Sequence, residues 1–197
     1  MHPTAARNHL TEAEYLALEA ESEERHELIN GEVVAMAGGS PAHNTIIANL
    51  TRELGRLLRQ RPCIVMSSDQ RVNVEATGLY TYPDLTVVCG GPQFGLKGST
   101  TLLNPTVVVE VLSEATELYD RGAKAAHYRR LASLQAYVLV SQKPRRIEVF
   151  QRTPEGRWLL HEAEEGEVEI PALDVHLSLE EVYLHVDLLE ALATGPS

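Results

Sequence analysis

Hydrophobic positions along the chain switch between a period near 3.6 residues and a period of two, and the switches outline its elements. Thr11 with Glu14 three residues on is a capping-box pattern that predicts a helix through about Glu21. His26 to Ile29, Asn30-Gly31, then Glu32 to Met36 predicts a hairpin, because Asn-Gly supplies the positive φ angles of a type I′ turn. Ser40 and Pro41 provide the N-cap and first residue of a long helix reaching about Gln60. Its apolar face is Ile46, Ile47, Leu50, Leu54, Leu57 and Leu58. Arg52, Arg56 and Arg59 form a stripe almost opposite, suited to a solvated face, a dimer contact or phosphates.

Strand-like runs follow at Cys63 to Met66, Arg71 to Val74, Leu85 to Cys89 and Val107 to Leu112. The last is apolar on both faces apart from Glu110, which predicts a central strand covered on both sides. A helix from about Glu117 to Leu131 leads to strands at Tyr137 to Val140 and Ile147 to Phe150, with Arg157 to His161 a further candidate. Ser178 opens a terminal helix, with Glu181 completing a second capping box. The order is that of an α/β protein, a mixed β-sheet flanked by helices. Nothing resembling a linker or repeat interrupts residues 1–192, and 193–197 reads as a flexible tail.

Composition agrees with one globular domain: 197 residues, 44% hydrophobic and 23% charged. No apolar run approaches the ~18 to 20 residues of a membrane span, and Met1 to Asn8 has no secretory character, so a soluble, cytoplasmic protein is expected. Cys63 and Cys89 lack a CxxC pattern and read as small core hydrophobes, neither disulfide-bonded nor zinc-binding. The net charge of −11 is uneven. From Glu155 onward eleven acids face Arg157 alone, leaving 17 acids and 16 bases before it. Only a wholly basic nucleic-acid binder is excluded.

Two acids stand out. Asp84 lies at the entrance to a buried strand, and Glu110 sits among Val107, Val108, Val109, Val111 and Leu112. An ionised carboxylate there needs a compensating partner. A divalent cation shared by two such acids is one; for Glu110, a buried arginine or an exposed sheet edge are others. His43, in the first turn of the long helix, is placed for a phosphate, a neighbouring carboxylate, or nothing beyond its helix. No HExxH, GxSxG or P-loop spacing occurs; Lys97 of the loop Gly90 to Gly98 precedes Gly98-Ser99 in the wrong context.

The ordered set Glu27-Leu28-Ile29-Asn30-Gly31-Glu32, His43-Asn44, Tyr82-Pro83-Asp84-Leu85, Asn104-Pro105 to Ser113, Asp120-Arg121 with Lys124, Tyr128-Arg129 and Ala136 to Val140 resembles a bacterial family. That family is the Uma-two restriction endonuclease family of the PD-(D/E)XK nuclease superfamily. The resemblance covers most of residues 25–150 and implies a restriction-endonuclease-like core there, with 151–192 as an acidic extension. It implies a metal-dependent DNA endonuclease, cytoplasmic and homodimeric, in which Asp84 and Glu110 hold Mg²⁺, replaceable by Mn²⁺. Glu27 is implied as a third metal-binding acid, with a cross-strand hairpin partner as its other reading.

The chain departs from the superfamily at one place. Two residues past Glu110, on the same strand face, the pattern has lysine and this chain has Leu112. Its three lysines are Lys97, Lys124 and Lys143, and Lys124 alone falls on a predicted helix, the one after the Glu110 strand. The resemblance implies that the catalytic lysine has moved there. The residues alone also allow a surface pair of Lys124 with Asp120. The missing strand lysine leaves a second reading, a catalytically decayed fold that binds nucleic acid or protein. A third is a metal hydrolase for a small phosphoester.

Overall fold

Val107–Leu112 (β7) lies inside a six-stranded sheet, and all six of its residues are buried. The structure, a computed structural model, describes residues 9–36, 38–95 and 99–193, so Lys97 lies outside the described residues. Beside β7 run Leu85–Cys89 (β6), antiparallel, and Ala136–Ser141 (β8), parallel. Cys63–Ser67 (β3) forms one edge, and Arg146–Arg152 (β9) and Trp158–Ala163 (β10) complete the other side.

Alternation along β7 divides the core. Val107, Val109 and Val111 pack with Ile46, Leu50, Leu54 and Leu58 of the long helix Pro41–Leu57 (α2) and the residue after it. Val108 and Leu112 belong to the opposite face with Ala125, Tyr128 and Leu131. Glu110, in phase with Val108 and Leu112, therefore points toward the connection between β7 and β8. Leu112, where the superfamily has lysine, is 3% exposed in that apolar cluster.

The hairpin forms as read: His26–Ile29 (β1) and Glu32–Ala35 (β2), with φ of 52° at Asn30 and 85° at Gly31. It joins Leu79–Thr81 (β5) and Val72–Val74 (β4) in a second sheet of order β2-β1-β5-β4. Thr11 and Glu14 close a capping box on Glu12–Glu21 (α1).

Several expectations need correction. The helix expected from Glu117 to Leu131 is broken into Glu117–Tyr119 (α3), a π-helical turn Asp120–Lys124, and Ala125–Tyr128 (α4). The Tyr137 hydroxyl donates to the Asp120 carbonyl at 3.0 Å, a side chain inserted where the helical ladder begins. Cys63 and Cys89 are not separate thiols: antiparallel register sets them opposite each other, Cα atoms 4.0 Å apart, and they form a disulfide. The terminal helix is two pieces, Leu179–Val182 (α5) and Val186–Ala193 (α6).

The acidic C-terminal part contributes a third small sheet, Glu167–Ile170 (β11) with Val175–Ser178 (β12). Val168, Ile170, Leu177, Val182 and Tyr183 join the α2 side of the core. Arg52 pairs with Glu181 at 2.8 Å and with Glu53 at 3.1 Å, and Arg56 pairs with Glu53 at 2.9 Å. Two arginines of the expected stripe are thus held by this chain's own acids. Among the described residues, no helix is long and apolar enough to cross a membrane.

Leu50 is fully buried at the centre of the α2 contact. Leu50→Ala should cost about 2 to 5 kcal/mol of unfolding free energy in a urea titration, while an exposed change such as Leu118→Ala should cost little.

Candidate active site

Register brings the two acids together. β6 and β7 pair Leu85 with Val109, and the same antiparallel step sets Asp84, just before β6, against Glu110. The backbone N–H of Val111 donates to Asp84 Oδ2 at 2.7 Å, and that of Asp84 approaches Glu110 Oε2 at 3.4 Å. His43, from the first turn of α2, places Nε2 3.2 Å from Asp84 Oδ2. Gly39 lies so close to His43 that a Cβ there would stand 2.4 Å from Nδ1.

Lys124 arrives from the other side of the sheet's end. Its Nζ lies 2.9 Å from Glu110 Oε1, 3.3 Å from Glu27 Oε1 and 3.7 Å from Asp120 Oδ1. The residue is 6% exposed and Asp120 4%, so the solvent-exposed pair that spacing allowed is instead a buried cluster. Tyr128 donates its hydroxyl to Glu110 Oε1 at 2.7 Å. Glu27 also accepts the Thr81 hydroxyl, so its carboxylate holds the far side of the ammonium. Arg121 clamps the π turn to the sheet, 2.6 Å from Glu148 and 2.7 Å from Glu117.

Glu27, His43, Asp84, Glu110, Asp120 and Lys124 line one cleft of about 890 Å³, between the hairpin, the start of α2 and the π turn. That volume is in the usual range for ligand sites. Lys143 also lines it.

Negative charge exceeds positive in the cleft: Glu27, Glu110 and Asp120 surround Lys124, and Asp84 lies beside Glu110. Burial pushes the Glu110 carboxyl up to about 8; Lys124 opposes the shift and Asp84 adds to it. Burial works against the Lys124 charge, yet Glu110, Glu27 and Asp120 carry its pKa well above the ordinary value. His43 is drawn down by burial and drawn up more by its bond to Asp84, for a net rise.

A hard divalent cation fits this donor set. Asp84 and Glu110 offer adjacent carboxylate oxygens in surplus negative charge. Among the described residues no group of three or more His, Cys, Asp or Glu forms a ready-made metal cage. Mg²⁺ commonly binds through one or two carboxylates and completes its shell with water and phosphate oxygens.

Sequence reading did not single out Tyr119 or the bond from Tyr128 to Glu110. The four-residue spacing of Asp120, Lys124 and Tyr128 was a signal that these three share a helix face.

Residues 12–186 match the Uma2 family, described as "Putative restriction endonuclease". The chain belongs to the Uma2 family. Two uncharacterized proteins of Synechocystis sp. are similar to this Uma2 chain. One is 34% identical over 168 residues, 84% of this chain and 95% of the relative. The other is 32% identical over 182 residues, 92% and 95%. The fold is shared with the crystal structure of a putative nuclease belonging to DUF820 from Anabaena variabilis, with a TM-score of 0.73 over 90% of this chain and 99% of that one at 18% identity.

The Glu110 shift has a thermodynamic consequence in this Uma2 chain. Between the ordinary carboxylate value and about 8, the native state keeps a proton on Glu110 that the unfolded chain has lost, and His43 acts in the same sense. Stability of the metal-free protein should therefore fall as pH rises through that window. Glu110→Gln should flatten the fall in urea titrations with EDTA between pH 5.5 and 8; an unchanged slope would put the titration elsewhere.

Proposed function

We propose that this chain is a metal-dependent DNA endonuclease hydrolysing phosphodiester bonds, with Asp84 and Glu110 as Mg²⁺ ligands and Lys124 as the charge-stabilising group. The observation that carries the reading is the meeting of Asp84, Glu110 and the Lys124 ammonium in one open cleft. Membership of a family described as restriction endonucleases supports the same reaction class.

When bound, Mg²⁺ or Mn²⁺ would polarise the scissile phosphate and lower the pKa of an attacking water. The chain's own residues do the rest. His43 and the Val111 N–H hold Asp84 Oδ2, which orients the carboxylate. Tyr128 and Lys124 both engage Glu110 Oε1, which leaves Oε2 as the freer oxygen. Lys124 stays protonated among its acids and faces the charge that develops on the phosphorane. We assign Glu27 to anchoring that ammonium through its 3.3 Å contact. Cutting both strands of a duplex with one site per chain is simplest for a homodimer.

The second reading, a decayed fold that only binds, rests on Leu112 at the superfamily's lysine position. Lys124 on Glu110 weighs against it.

Mn²⁺ titration by calorimetry tests the ligands: Asp84→Ala and Glu110→Ala should each abolish binding with the fold retained, and wild-type affinity in Glu110→Ala would end the metal assignment. In plasmid nicking, Lys124→Ala should slow cleavage by roughly 10²- to 10³-fold with metal affinity little changed. Lys143→Ala should stay within a fewfold of wild type. A fully active Lys124→Ala protein would remove this lysine from the reaction.

A further inference from the structure

Tyr119 immediately precedes the π-helical turn, and Lys124 Nζ stands 5.9 Å from its ring centroid. Its hydroxyl oxygen is buried and, among the described residues, has no hydrogen-bond partner. Every other tyrosine is engaged: Tyr15 with the His26 carbonyl, Tyr80 with Glu12, Tyr82 with Glu19, Tyr128 with Glu110, Tyr137 with the Asp120 carbonyl, and Tyr183 with the Ser141 carbonyl. A phenol withdrawn from water and left unbonded by the described residues costs stability, and an acceptor brought into the cleft would satisfy it.

The location says which partner. Tyr119 lines the same cleft as Asp84, Glu110 and Lys124. Burial and the negative charge of Glu27 raise its pKa well above the ordinary phenol value, so it enters any reaction as a donor. Among the described residues it has no acceptor, and a phosphodiester beside Lys124 brings two non-bridging oxygens.

We propose that Tyr119 is a further catalytic residue, its hydroxyl donating to a non-bridging oxygen of the phosphodiester that Lys124 engages. The proposal rests on the nuclease reading and extends it to a second donor on the phosphate. No covalent bond is made to the phenol. The hydrogen bond strengthens as negative charge grows on the phosphoryl oxygens, and the proton stays on Tyr119 throughout.

Tyr119→Phe removes the oxygen and keeps the ring beside Lys124. It should lower the single-turnover nicking rate by about 10²-fold, with melting temperature and Mn²⁺ affinity not reduced. It should also weaken binding of a fluorescein-labelled DNA duplex in Ca²⁺ severalfold. Wild-type rate and duplex affinity in Tyr119→Phe would overturn the proposal, as would loss confined to Tyr119→Leu, which would make the ring a wall and nothing more. If the wild type binds duplex without cutting it, the binding arm decides: weaker binding supports the contact and equal binding overturns it. A wild type that neither nicks nor binds DNA overturns the nuclease reading and this proposal together, whereas an active wild type with an indifferent Tyr119→Phe overturns this proposal alone.

Discussion

A single buried ammonium organises the cleft. Lys124 takes carboxylate contacts from β1 through Glu27, from β7 through Glu110 and from its own turn through Asp120. β1 belongs to the four-stranded sheet and β7 to the six-stranded one, and the turn lies in the connection between β7 and β8. Neither the ammonium nor the acids would survive as isolated charges so far from water, and removing one partner of such a buried pair typically costs about 3 to 5 kcal/mol. The geometry of the proposed reaction centre and the mutual placement of the two sheets thus depend on the same contacts.

The acidic extension bears on this charge balance from a distance. Its Glu181 and Asp174 meet Arg52 and Arg61, and Asn49 donates to the Val182 and Leu184 carbonyls. The acidic extension is thus partly neutralised by the bases of α2 and the loop after it. The surplus negative charge that remains in the cleft is local, held by Glu27, Glu110 and Asp120 around Lys124 and by Asp84 beside Glu110.

Elements with strong local signals were legible in the sequence: the capped starts of α1 and α2, the Asn30-Gly31 turn, and β6 and β7 at their observed bounds. The placement of Lys124 beside the acids was implied by the family resemblance, since the residues alone also allowed a surface pair with Asp120. What escaped depends on register or on long-range contacts. The Cys63–Cys89 bond needs the pairing of β3 with β6. The three-residue β5 is too short to show alternation. The alternation in Glu167–Ile170 was readable and was masked by its acidic setting. Tyr119 is conspicuous only once the engagement of every other tyrosine is known.

The π-helical turn gives the segment after β7 one residue more than a regular helix would use. Each residue of an α-helix advances the face by about 100°, so this extra residue sets the rotational phase between Tyr119 upstream and Tyr128 downstream. Tyr128 bonds Glu110, and Tyr119 lines the cleft that Glu110 also lines. The feature behaves as an inserted spacer: shortening the chain by one residue between Asp120 and Lys124 would turn one half of the segment away from the other. Length thus joins the contacts of Lys124, Asp120 and Arg121 as a property of this turn on which the alignment of the cleft depends.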